Sequence, residues 1–97
     1  MTRIRLGAEA KRDVREARDW YADQKPGLDL EFRDELDRTL GRIRDFPESY
    51  PIVYKDVRRA NLHRFPYGVF YHRRKGGLFV LAVASHARHP RRWQERR

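Results

Sequence analysis

The sequence predicts an α+β fold: an N-terminal strand, a two-helix hairpin, then a three- to four-stranded antiparallel sheet with a short basic C-terminal tail, in a single domain over residues 1–97. Three observations predict it. Apolar residues recur at helical spacing from Ala10 to Ile43 with one Pro26-Gly27 break, the period changes to two after Pro51, and Lys75-Gly76-Gly77 sets a tight turn between two strand-like runs. A chain of 97 residues buries only about 60–65% of its unfolded surface, so its core is thin and there is no room for a second domain.

Thr2-Arg3-Ile4-Arg5-Leu6 alternates, with Ile4 and Leu6 on one face and both arginines on the other, as a half-buried strand requires, and Gly7 ends it. From Ala8 to about Gln24, Ala10, Val14, Ala17 and Tyr21 form a helical stripe, with Arg12/Glu16 and Arg15/Asp19 four apart on the wet face. The Pro26-Gly27 turn is short enough to allow only a helical hairpin. The second helix carries Leu28, Phe32, Leu36, Leu40 and Ile43, and Pro47 stops it.

The β half starts with Ile52-Val53-Tyr54. Arg58 to Phe65 then alternates, with Ala60 and Leu62 on one face and Arg59, Asn61 and His63 on the other. Tyr67 to Arg73 and Leu78 to Ser85 flank the hairpin turn. Along the last strand the larger set, Phe79, Leu81 and Val83, is expected against the helices. Val80, Ala82 and Ala84 would then floor a shallow groove on the opposite face, with His86 at its end and Arg59, His63 and His72 beside it. The tail from Ala87 holds five Arg, a Pro and Trp93 in eleven residues; it reads as a short helix or a mobile arm, with Trp93 packed on the domain edge.

The net charge is +9, and it is unevenly placed. Residues 1–50 hold eleven Lys/Arg against twelve Asp/Glu, whereas residues 51–97 hold twelve against two. Nineteen of the 23 basic residues are Arg, whose guanidinium forks onto phosphate or carboxylate. A polyanionic partner follows, either nucleic acid or an acidic protein segment. Cysteine is absent, which removes disulfides, thiolate metal sites and cysteine nucleophiles. No run approaches a membrane span and the N-terminus lacks a signal-peptide core, so a cytoplasmic location and no membrane partner are expected. His63, His72, His86 and His89 have no Cys or carboxylate near them in sequence, and Lys75-Gly76-Gly77 is a turn rather than a phosphate loop. Neither a metal nor a cofactor is expected.

Three local patterns carry a resemblance: Ala17-Arg-Asp-Trp-Tyr21 at the end of the first helix, Phe65-Pro66-Tyr67 running to Tyr71, and His86-Ala-Arg-His-Pro90 followed by Trp93. In this order and spacing they resemble the RelE/ParE superfamily of bacterial type II toxins, also called plasmid stabilisation proteins. The resemblance implies a compact toxin that arrests growth unless bound by a neighbouring antitoxin, in a heteromeric complex. It also implies one of two targets. RelE-like members are ribosome-dependent mRNA endonucleases that need no metal; ParE-like members inhibit DNA gyrase.

Metal-free RNA cleavage needs an acid, a base and cations on the phosphate. If the chain is a nuclease, the residues to supply them are His86, Arg88 and Arg59, with Arg64 as a third arginine whose parity points to the other face. Target or antitoxin contacts are expected at Arg58, Arg59, His63, His72, Arg73, Arg91, Arg92 and Trp93. The lysine-rich central strand of the ribosome-dependent nucleases is missing, since only Lys55 lies near it. The reading therefore leans to gyrase, with the mRNA endonuclease second and a non-toxic basic nucleic-acid-binding module third. The antitoxin segment is expected to be acidic, amphipathic and partly disordered when free.

Overall fold

The helical hairpin forms where the apolar period places it in a computed structural model that describes residues 2–97. After β1 (Ile4–Leu6), α1 (Ala8–Gln24) turns Ala10, Ala17 and Tyr21 inward. Gly27, at φ 88°, supplies the left-handed residue that reverses the chain. α2 (Leu28–Asp45) buries Phe32, Leu36 and Ile43. Asp29 and Glu31 in its first turn and Arg42 and Arg44 in its last complement its dipole.

The remaining elements are β2 (Ile52–Tyr54), β3 (Val57–Asn61), β4 (Tyr67–Arg74), β5 (Gly77–Ser85) and α3 (Arg91–Gln94). The strands lie in the order β1-β5-β4-β3-β2. β2 to β5 are antiparallel, as the turns predict. β1 is added parallel to β5, with Ile4 opposite Leu78 and Leu6 opposite Val80, so the sheet has five strands and is mixed. A parallel neighbour needs a long crossover, and the helical hairpin provides it.

The sheet is covered by the helical hairpin on one face and in part by α3 on the other. On one, α1 and α2 enclose Ala60, Val69, Tyr71, Leu78, Val80 and Val83, and an aromatic knot of Tyr21, Phe32, Phe65 and Tyr67 closes the end, with Tyr21 and Phe65 centroids 4.9 Å apart. On the other, Trp93 of α3 joins Val57, Phe70, Leu81, Ala82 and Ala84. This corrects the expected faces of β5. Tyr71 pairs with Val80 but Phe70 pairs with Ala82, so Leu81 is an extra residue in the ladder. Such a bulge reverses the alternation: Val80 faces the hairpin, while Phe79 and Leu81 face away. Val83, Ala82 and Ala84 keep the expected sides.

β3 is also shorter than its alternation suggests. The chain leaves the sheet after Asn61, and Phe65 folds back into the hairpin core. Pro66 has no N–H for a ladder, and the Leu62 N–H to Tyr67 O bond of 2.9 Å closes the turn. Among the described residues, no helix is long and apolar enough to cross a membrane.

Candidate functional site

The groove expected on the far face of the sheet is occupied by the tail. Trp93 lies on Phe70 with ring centroids 4.1 Å apart and planes 23° from parallel, and meets Tyr54 edge-on at 5.9 Å. Only 7% of Trp93 is exposed. It is packed on the domain as a core residue, with little surface left to stack on a partner. Two arginines beyond it fasten the tail. Arg96 makes a bidentate pair with Asp13 of α1 and also donates to Leu81 O at 3.1 Å. Arg97 grips Asp56 through two bonds of 2.7 and 2.9 Å.

At the end of β5 that α3 leaves open, three polar side chains gather over Gly68. A Cβ placed there would lie 3.2 Å from both Arg59 Cγ and Asn61 Oδ1, so Arg59 and Asn61 lean across the bare glycine. His86 Nε2 stands 3.2 Å from Asn61 Oδ1. An amide oxygen only accepts, so Nε2 donates here in the tautomer that carries its proton. The cluster offers one cation and one imidazole above a small floor, chemistry suited to holding an anion.

The other sequence-predicted residues do not join it. Arg64 turns to the hairpin, where Glu31 accepts its bond at 2.6 Å. Arg88 lines a different groove with Trp20 and Tyr67. Arg58 donates to the Tyr50 carbonyl at 2.7 Å and to that of Glu48 at 3.3 Å. It holds the loop after α2. His72 is buried, edge-on to Phe79 at 5.7 Å, with Nδ1 3.8 Å from Asp56 Oδ2. Burial, and next the charge of Arg97, lowers its pKa from the ordinary imidazole value, against the pull of Asp56. His63 is exposed on the bend after β3, Arg73 is exposed 3.8 Å from Glu48, and Arg91 and Arg92 are exposed on α3. Among the described residues, no three His, Cys, Asp or Glu side chains are placed to hold a metal ion.

The groove that takes Arg88 has a volume of about 430 Å³ and runs between α1 and the end of β4 and β5. Trp20, Tyr21, Pro66 and Tyr67 give it an apolar lining, and Arg88, Asp13 and Glu16 supply its charged groups. Trp20 is 56% exposed. Burial, the main cause, raises the Tyr67 hydroxyl above its ordinary pKa, against the nearby charge of Arg88. Sequence reasoning did not assign this surface. The signal was a tryptophan beside, rather than on, the apolar stripe of α1.

The sequence model of the family described as the ParE toxin of the type II toxin-antitoxin system, parDE, matches residues 4–90. The chain belongs to this family. Its fold agrees: a solved structure of the chromosomal ParDE toxin-antitoxin system from P. aeruginosa superposes with a TM-score of 0.78 at 16% identity, covering 88% of this chain and 96% of that one. No curated protein matches in sequence. For this ParE-family chain the strand, helical hairpin and sheet are thus the family's architecture, within which the bulge at Leu81 and the tail clasp are described above.

Proposed function

We propose that this ParE-family chain is the toxin of a type II toxin-antitoxin module, that it arrests growth by inhibiting DNA gyrase, and that an antitoxin neutralises it by occlusion. The observation that carries the gyrase reading is the dispersal of the nuclease candidates. His86 stands with Arg59 and Asn61, while Arg64 is bound to Glu31 and Arg88 lines another groove. Acid–base cleavage of RNA needs these groups converged on one phosphate. The family match to ParE supports the same reading. The exposed apolar surface around Trp20 suits the apolar face of an amphipathic antitoxin segment that folds as it docks.

One observation favours a second reading, ribosome-dependent mRNA cleavage: Asn61 is shared, leaning over Gly68 beside Arg59 and meeting His86 at 3.2 Å. Expression from a tight promoter separates the two. Gyrase inhibition predicts relaxed plasmid and a DNA-damage response with intact mRNA, and His86→Ala stays toxic. Cuts in translated mRNA that fall about 10²–10⁴-fold in His86→Ala would select the nuclease instead. Harmless expression of folded protein would overturn both.

A further inference from the structure

α3 covers only part of the sheet face that lies away from the hairpin. Toward β1 that face is bare, and its centre is the ring of Phe79, which carries the guanidinium of Arg74 at 4.1 Å and that of Arg5 at 5.2 Å. Arg3 shares the face of Arg5, and Lys75 stands at the tip of the β4–β5 turn; all four cations are exposed. A groove of about 550 Å³ runs among them, and no carboxylate lines it. Among the described residues these four make no ion pair, whereas Arg64, Arg96 and Arg97 are held by Glu31, Asp13 and Asp56. The free positive charge of this sheet is therefore concentrated at its β1 edge.

We propose that Arg3, Arg5, Arg74 and Lys75 form a binding surface for the phosphate backbone of duplex DNA. Two arginines on alternate residues of a strand stand roughly 6–7 Å apart, a spacing comparable with that of successive phosphates along a nucleic-acid strand. Their forked donors fit phosphate oxygens. An acidic peptide would seek an apolar anchor as well, but the Phe79 ring is already overlaid by two guanidiniums. Single-stranded RNA is usually gripped by stacking its bases on free aromatic faces, and here Phe79 is overlaid while Trp93 is buried. Duplex backbone asks only for placed cations. The surface is independent of which toxin target is correct.

Anisotropy of a labelled 20-base-pair duplex, titrated with the purified full chain between 50 and 200 mM salt, tests this. Four phosphate contacts give a log–log salt slope near −3.6, so affinity falls about 10²-fold over that range. Arg3→Gln, Arg5→Gln, Arg74→Gln and Lys75→Gln together should remove that dependence, and each single substitution should lower the slope by about 0.9. Arg3→Lys, Arg5→Lys and Arg74→Lys together should keep it. An unchanged slope in the neutralised variants would overturn the proposal. So would single-stranded RNA or a polyglutamate peptide binding more tightly than the duplex in a way that depends on these same four residues.

Discussion

Asp13 and Arg96, 83 positions apart in the chain, stand together where β1 ends and β5 continues without a neighbouring strand. Each also serves the exposed edge of β5: Asp13 Oδ2 accepts the Val83 N–H at 3.0 Å, and Arg96 donates to Leu81 O at 3.1 Å. An ion pair of two side chains substitutes for the missing strand. Asp13→Ala would orphan a backbone donor and remove the forked partner of a largely buried guanidinium, leaving it Leu81 O and Glu9 at 3.4 Å, and the expected loss is about 3 kcal/mol. For a domain this size that lowers the melting temperature by roughly 12–24 °C. Arg96→Lys should recover only part, because one ammonium cannot reproduce the forked contact. Thermal unfolding of the two variants checks both statements.

His72 makes stability depend on pH. Asp56 and Arg97 lie on its exposed side, Arg74 on its own strand, and Phe79 against its ring. Its native pKa is below the ordinary 6.5, first through burial and then through Arg97. The unfolded chain therefore takes up the proton first as pH falls. Its contribution is complete above 6.5, declines as pH drops below that, and levels off once native His72 protonates. Urea midpoints at pH 8 and pH 5.5 should differ in the parent chain, and His72→Phe should shrink the difference. Asp56, whose pKa is lowered by its bond to Arg97, acts separately: its stabilisation is present above 3.8 and is lost as pH falls through its lower native value.

Glu35 is a buried carboxylate in α2 whose Oε2 has no hydrogen-bond partner, with Arg42 at 3.8 Å and Arg38 at 3.9 Å. Burying an incompletely bonded charge is costly, and apolar replacement is often neutral or better. Glu35→Met should leave stability unchanged or raise it by about 1 kcal/mol. Arg42→Met should lower it, because it removes a cation and leaves the charge. Urea denaturation distinguishes the two directions.

The two turn glycines should respond oppositely. A Cβ on Gly77, at φ 146°, would lie 2.4 Å from Arg3 O, the acceptor of the Leu78 N–H bond that anchors β1. Gly77→Ala should cost at least about 1–3 kcal/mol, and hydrogen exchange should show Leu78 losing protection before the amides between β3 and β4. Gly76, at φ 89° with open space around it, should accept Asn with little change.

What could be read from the sequence is what short-range pattern encodes. The stripe from Leu28 to Ile43, the Pro26-Gly27 break and the β4–β5 turn each depend on residues a few positions apart, and each is where it was expected. The bulge at Leu81 could not be read, because an unbroken apolar run does not record which residue is left over when β5 is laid against β4. That one residue exchanged Val80 for Phe79 and Leu81 on the far face. The parallel seat of β1, the burial of Trp93 and the bond from Arg64 to Glu31 are likewise long-range outcomes. At the candidate site, alternation along β3 puts Arg59 and Asn61 on one face, whereas the groove in which Arg88 lies and the pairing of Asp56 beside His72 with Arg97 are set by the turn after Ser85 and the return of the tail.

Ile4 finds its strand partner only at Leu78, and Asp13 its ion-pair partner only at Arg96. On a ribosome adding roughly 5–20 residues per second, about 4–16 s separate the synthesis of Asp13 from that of Arg96. The helical hairpin can form early, since its contacts are local, but the sheet edge stays unsealed until residue 96 has cleared the exit tunnel. Sealing of this edge therefore waits on residue 96, long after the hairpin can form. A partner that recognises the sealed edge can engage only chains in which residue 96 has emerged, whereas one that grips the hairpin can begin while residues 46–96 are still being made.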